Sequence, residues 1–328
     1  MSQSPAAARP VLLLALPPEE VDQAVSERIR ALAPDMELLV TAERAEIEAS
    51  IGRVAIAAAG LPLDLLPQAA GLRWFQQWGA GADWLLRHPE AARRDFILTN
   101  ASGVHAIPIS EQIIGALLMF ARGLHRAGRW QAESRWRRPR PEELFELPGK
   151  TMLLVGVGAI GERTAALAGA LGMRVEGIRR NPGRPAAGVA ALYGPERLRE
   201  RLAHADAVVL TVPLSAATRG MIGEAELAAM KPGAYLINIG RGGTVDEPAL
   251  IRALADGRLG GAALDVFAEE PLPEDSPLWA LENVIITAHY AGATPFYNQR
   301  ALAIFLDNLE RFGRGEPLRN VVDKQAGY

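Results

Sequence analysis

The chain has 328 residues, 49% hydrophobic and 22% charged, with a formal net charge of −3; this length favours two domains, and the composition supplies full cores without long disordered segments. That charge balance gives no field to draw nucleic acid or an anionic membrane surface, so neither is an expected partner. With no cysteine, disulfides, thiolate zinc sites and thiol nucleophiles are excluded, no metal site is expected, and the chemistry falls to His, Arg, Glu, Asp or a bound cofactor.

The first apolar run, VLLLAL at 11–16, meets Pro17 and Pro18 too soon to be a secretory signal and reads as a core strand. No stretch reaches the ~18–20 uninterrupted apolar residues of a membrane helix, and a cytoplasmic protein is expected. LLVTA (38–42), VAIAAA (54–59), RWFQQ (73–77) and FILT (96–99) follow, separated by helical patterns. That rhythm predicts parallel strands joined by crossover helices. IPISEQIIGALLMFAR at 107–122 is apolar around most of its circumference, which predicts a helix buried between layers and is read as crossing between the domains. The Arg-rich stretch 126–141, with Trp130 and Trp136, reads either as a surface arm or as a dimer contact.

At 151–161 the chain reads TMLLVGVGAIG: a strand-like run ending in Gly156, Gly158 and Gly161, with Ala159 and Ile160 inside the turn that opens a helix. Such glycines allow a tight turn, close approach of backbone N–H groups to a pyrophosphate, and close strand-to-helix contact. The strand before and the helix after make this a dinucleotide fingerprint rather than a chance Gly repeat. Alternation then resumes with MRVEGI (173–178), AVVLTVP (207–213), AYLINI (234–239), GAALDVF (261–267) and NVIIT (283–287), punctuated by Lys231-Pro232-Gly233 and Asp256-Gly257. Counting TMLLV, a second doubly wound sheet of about six strands is expected. FYNQRALAIFLDNLERF at 296–312 is one amphipathic helix, expected to return to the first domain. The expected organisation is therefore a substrate domain at 1–104 plus 295–328 and a dinucleotide-binding domain at 105–294, with a cleft between them.

Three residues stand directly after predicted strands, where open parallel sheets place their ligand crevice: Arg241 in NIGRGG, Glu270 in DVFAEEPLP and His289 in ITAHYAGAT. Singly they read as a surface cation, a solvated carboxylate and a buried imidazole. Their shared placement points to a site instead. A guanidinium holds a planar carboxylate through two parallel hydrogen bonds, and an imidazolium gives a proton to a carbonyl oxygen as hydride reaches its carbon, with a carboxylate to fix its tautomer. These are the requirements of 2-oxoacid reduction.

The stretches GVGAIG (156–161), TVPLSAATRGMI (211–222), MKPGAYLINIGRGGTVDEPAL (230–250), GAALDVFAEEPLP (261–273) and NVIITAHYAGAT (283–294) resemble the D-isomer-specific 2-hydroxyacid dehydrogenase family. QWGAGAD (77–83) and NASGVHAIPISEQ (100–112) extend the resemblance into the first domain. It implies an α/β fold with a flavodoxin-like substrate domain and a Rossmann cofactor domain, and a homodimer that acts on a small 2-oxoacid or 2-hydroxyacid. It also implies roles: Arg241 clamps and polarises the oxoacid, His289 is the general acid/base, and Glu270 pairs with it in preference to Glu269, because the family's carboxylate directly precedes the proline. Backbone N–H groups of Ala80 and Gly81 cradle the substrate carboxylate. Asp265 meets the nicotinamide carboxamide or orders its loop, Thr211 and Pro213 flank the adenosine, and Ile239, Gly240, His289 and Ala291 complete the cofactor-binding set. One departure is Ala288, where the family usually has proline, which puts the loop's rigidity in doubt.

After the second strand of the dinucleotide domain, GIRRNPGR at 177–184 puts Arg179 where NAD-dependent relatives carry a ribose-binding acid, with Arg180 and Arg184 near. NADP is the expected cofactor, NAD a possible one, since guanidinium suits a 2′-phosphate; the competing Glu176, three strand positions earlier, points to the other face. Trp78, Tyr290 and Trp136, the last from this chain or from a partner subunit, are candidates to line the substrate pocket, and the oxoacid itself stays open. Two other readings share the fold: a non-catalytic NAD(P)-sensing interaction protein, and a formate- or phosphite-type dehydrogenase.

Overall fold

A computed structural model describes residues 9–325; residues 1–8 and 326–328, the ends of the outer expected segments, lie outside the described residues. The chain divides into two compact units, Met1–Val104 with Pro295–Tyr328, and His105–Thr294.

In the first unit, β1 (Val11–Ala15), β2 (Glu37–Val40), β3 (Val54–Ala59), β4 (Trp74–Gln77) and β5 (Ile97–Thr99) form one parallel sheet in the order β2-β1-β3-β4-β5. Every residue of β1 and β3 is buried, as parallel strands covered on both faces must be. The two-residue period then sends Leu13 to one layer with Ile47, Leu65 and Phe75, and Leu12 and Leu14 to the other with Ile29, Trp74 and Phe305. The helix Tyr297–Arg314 supplies Phe305 and Phe312, both stacked on Trp74 with centroids 5.4 Å away. The strand order reverses between β1 and β3, and a doubly wound sheet opens a crevice at the carboxyl ends of its strands at such a switch.

The second unit holds seven strands, not six: β6 (Thr151–Val155), β7 (Arg174–Ile178), β8 (Ala191–Tyr193), β9 (Ala207–Leu210), β10 (Tyr235–Asn238), β11 (Gly261–Leu264) and β12 (Val284–Ile286), ordered β12-β11-β10-β9-β6-β7-β8 and parallel throughout. The unexpected strand is β8, three half-buried residues on the sheet edge. So short a run shows no alternation that a sequence reading can catch.

The helix Ala106–Ala121 buries Ile109, Ile113, Leu117 and Phe120 within this unit and packs on the helix Ala159–Ala170. At Gly123, with φ 65°, the chain turns into a further helix, Leu124–Ala132, over part of the stretch read as an arm. Arg126 lies over the Trp130 ring 6.0 Å from its centroid, whereas Trp136 is fully exposed. No single helix among the described residues is long and apolar enough to cross a membrane; the pair Ala106–Ala121 and Leu124–Ala132, bent by 74°, passes only on length and composition, and its first member is core.

Candidate active site

The glycine turn is built by contact. Gly156 has φ 98°, and a Cβ there would stand 2.8 Å from Thr211 Oγ1; a Cβ on Gly161 would stand 2.9 Å from the Gly156 carbonyl oxygen. Thr211 Oγ1 donates to that same carbonyl at 2.8 Å, tying the end of β9 to the turn. At Gly158, the N-cap of the helix Ala159–Ala170, a Cβ would meet nothing within 4 Å. Open space over a helix N-terminus, whose first N–H groups have no intrahelical acceptor, suits a pyrophosphate.

Glu176 lies inside β7, only 6% exposed, and pairs with Arg174 at 3.1 Å and Arg201 at 3.6 Å. It is committed to the protein. Arg179 comes directly after β7, half-buried, with Nη1 donating to the Arg184 carbonyl at 3.3 Å, and Arg180 beside it is exposed.

Because β10, β11 and β12 are neighbours and parallel, the loops that carry Arg241, Glu270 and His289 leave the sheet at one edge. His289 Nδ1 lies 2.7 Å from Glu270 Oε2, and Glu270 Oε1 accepts the Phe267 N–H at 3.0 Å. Of the two adjacent glutamates, Glu270 makes this contact. His289 is held at φ 53°, with its N–H donating to the Asp265 carbonyl at 2.9 Å. The Asp265 carboxylate, 3% exposed, accepts from Thr287 Oγ1 at 2.5 Å and from the N–H groups of Tyr290 and Ala291 at 3.1 and 3.0 Å. These donors, from both sides of Ala288, tie the loop to one buried carboxylate. Gln112 Nε2 donates to Thr287 Oγ1 at 2.9 Å, which extends the bracing to the helix Ala106–Ala121.

Arg241 is set by Asn238, a buried polar residue ending β10 that accepts the Gly240 N–H and donates to the Arg241 carbonyl, both at 3.1 Å. Arg241 Nη1 donates to the Gly240 carbonyl at 2.8 Å. A Cβ on Gly240 would stand 2.7 Å from the Val212 carbonyl oxygen, and one on Gly242 only 1.8 Å from that of Phe267. The loops bearing Arg241 and Glu270 therefore touch backbone to backbone. Ile239 is buried beneath this turn, and Pro213 is exposed with its carbonyl accepting Thr218 Oγ1 at 2.6 Å. Asn238 and Thr287 escaped the sequence reading. The signal for both was a polar side chain closing an otherwise apolar strand run.

In the first unit, Gln77 Nε2 donates to the carbonyls of Gly79 at 2.9 Å and Gly81 at 2.6 Å, and Asn100 Nδ2 donates to that of Ala80 at 2.8 Å. Gln77 Oε1 in turn accepts the Trp84 indole N–H at 2.8 Å. In a trans peptide the N–H points opposite the C=O, so pinning the Gly79 and Ala80 carbonyls turns the N–H groups of Ala80 and Gly81 the other way. Backbone N–H groups turned away from pinned carbonyls are the kind of donor that an anion site uses.

Residues 114–291 match the family described as D-isomer specific 2-hydroxyacid dehydrogenase, NAD binding domain. Among similar proteins, the glyoxylate reductase of Korarchaeum cryptofilum is 36% identical over 273 residues, 81% of each chain. The (S)-sulfolactate dehydrogenase of Chromohalobacter salexigens is 40% identical over 252 residues, 76% of this chain and 80% of the other. Among solved structures, the NADPH-dependent glyoxylate/hydroxypyruvate reductase of Sinorhizobium meliloti, in complex with NADP and sulfate, superposes with a TM-score of 0.81 at 29% identity, covering 98% of this chain and 100% of that one.

Proposed function

The chain belongs to the D-isomer-specific 2-hydroxyacid dehydrogenase family, and on that premise we propose an NADPH-preferring reductase in which His289 donates the proton, Glu270 orients it and Arg241 clamps the oxoacid. The reaction class is the transfer of a hydride between NAD(P)H and a 2-oxoacid, giving a D-2-hydroxyacid. When bound, the nicotinamide supplies that hydride. The 2.7 Å contact of His289 Nδ1 with Glu270 Oε2 carries the reading of the protein's own part: a carboxylate there keeps the proton on Nδ1 and leaves Nε2 to serve the carbonyl oxygen. The Arg241 guanidinium presents parallel donors to the carboxylate and carbonyl of the substrate and draws charge toward the oxygen as it becomes an alkoxide.

Ala80 and Gly81 are assigned the substrate carboxylate, with Asn100 as the residue that aims their N–H groups. Asn100→Ala frees the Ala80 carbonyl and should raise KM for the oxoacid about 5-fold, the effect of one neutral hydrogen bond, with kcat nearly unchanged. Steady-state rates check it: a fall in kcat at constant KM contradicts the assignment.

NADP preference is supported by Arg179 and Arg180 at the end of β7 and by the commitment of Glu176 to Arg174 and Arg201. One or two charge-assisted hydrogen bonds to a 2′-phosphate favour NADPH over NADH by about 10-fold or more in kcat/KM. Arg179→Asp should reverse that order. Initial rates with both cofactors and one oxoacid decide the matter, and a wild-type preference for NADH defeats it.

A further inference from the structure

A cavity of about 410 Å³ opens at the carboxyl ends of β1, β3 and β4, at the switch of strand order in the first unit. Leu16, Leu61, Leu63, Phe75, Trp78 and Trp84 form its side-chain wall, and Gly79 and Gly81 of the anion-binding loop also line it. No charged residue is among its described lining. The side-chain polar atoms that do border it are spent within the unit: both ends of the Gln77 amide on the loop and Trp84, the Trp84 N–H on Gln77, and the Trp78 N–H on Asn298 Oδ1 at 3.0 Å. Ala59, also in the lining, is held at φ 71°, a conformation that non-glycine residues adopt rarely and that clusters at ligand sites. It brings the chain around so that the Gly60 N–H donates to the Ala15 carbonyl at 3.3 Å, closing the floor between β1 and β3.

We infer that this cavity receives the side chain of the oxoacid, and that the side chain is hydrocarbon, branched aliphatic or aromatic, rather than hydrogen, hydroxymethyl or an anionic substituent. The inference rests on the reductase reading above. The loop proposed to hold the substrate carboxylate lines one end through Gly79 and Gly81, and carbon surface beside it matches a carboxylate joined to an apolar group. A phosphate, sulfonate or second carboxylate seated there would lie against carbon and find no cation in the described lining. Glyoxylate leaves the cavity unfilled, and hydroxypyruvate sets a hydroxyl against carbon. Each methylene that an apolar site gains is worth roughly 10-fold or more in discrimination.

The test is a set of initial rates at saturating NADPH with glyoxylate, hydroxypyruvate, 4-methyl-2-oxopentanoate, phenylpyruvate and 3-phosphohydroxypyruvate. The expected result is a kcat/KM for 4-methyl-2-oxopentanoate or phenylpyruvate at least about 10-fold above that for glyoxylate, with the phosphorylated substrate poorest. Preference for glyoxylate, hydroxypyruvate or the phosphorylated acid overturns the inference and leaves the reductase reading standing. No turnover of any of the five, with either cofactor, removes both. Leu63→Arg, at a half-buried wall position, should raise 3-phosphohydroxypyruvate relative to 4-methyl-2-oxopentanoate by about 10-fold or more. An unchanged ratio in a variant that melts like the wild type counts against the cavity, and if that variant does not fold, the wild-type series decides alone.

Discussion

His289→Asn lowers kcat for 2-oxoacid reduction by about 100-fold or more, while the melting temperature stays close to wild type. Asparagine is the informative replacement because the residue sits at φ 53°, a left-handed conformation that asparagine tolerates better than most residues. The imidazole is half exposed, so little packing is lost. What disappears is the proposed proton donor. Glu270→Gln is the companion: it keeps the shape beside His289 and the acceptor for the Phe267 N–H but removes the charge that selects the Nδ1–H tautomer, so kcat falls by an intermediate factor. Stopped-flow or steady-state rates at saturating substrate measure both. A His289→Asn enzyme retaining more than about a tenth of wild-type kcat would remove this histidine from the chemistry.

Gly242→Ala is the most damaging small substitution expected in the second unit. Its Cβ would fall 1.8 Å from the Phe267 carbonyl oxygen, 1.9 Å from that carbonyl carbon and 2.6 Å from the Ala268 nitrogen, all backbone atoms with no rotamer to change. Relief requires the Arg241 loop and the Glu270 loop to separate. The first is tied down by Asn238 and Thr244 on the Arg241 carbonyl, the second by Glu247 on the Ala268 N–H. Overpacking of this kind costs about 3 kcal/mol or more, a fall of about 6–12 °C in melting temperature for a unit of this size, and activity is expected to drop further because the proposed clamp and the proposed acid move apart. Gly169→Ala is the control: in the helix Ala159–Ala170, with nothing within 4 Å of its added Cβ, it should stabilise by about 0.5–1 kcal/mol. A Gly242→Ala protein that melts with the wild type defeats the claim of a forced close contact.

The positions singled out from the chain alone were those whose chemistry shows locally. Gly156 and Gly161 declared a turn by their type and spacing, and contact with Thr211 and with the turn's own carbonyl explains the need for glycine. Arg241, Glu270 and His289 each follow an apolar run, and the adjacency of β10, β11 and β12 puts those loops at one edge. The residues that aim these groups were invisible. Asn100 acts on a carbonyl 20 positions away and Gln112 on a hydroxyl 175 away, and no local pattern encodes a hydrogen bond across such a separation; Asp265, which acts on amides 25 and 26 away, is named only through the family resemblance, with two roles left open.

Length, composition and apolar rhythm by themselves determined the class of architecture, because a strand buried on both faces must be apolar at nearly every position and a phosphate-binding turn must be glycine. They also narrowed the candidates for the reacting side chains, since only certain types can carry a proton or grip a carboxylate. Tertiary structure alone decided how those groups are oriented and what surrounds them: β8 on its edge, the bracing of Thr287 by Gln112, and the apolar cavity beside the 79–81 loop. Such features are assembled from segments far apart in the chain, and whether a buried polar atom is spent or available depends on which segment folding brings against it.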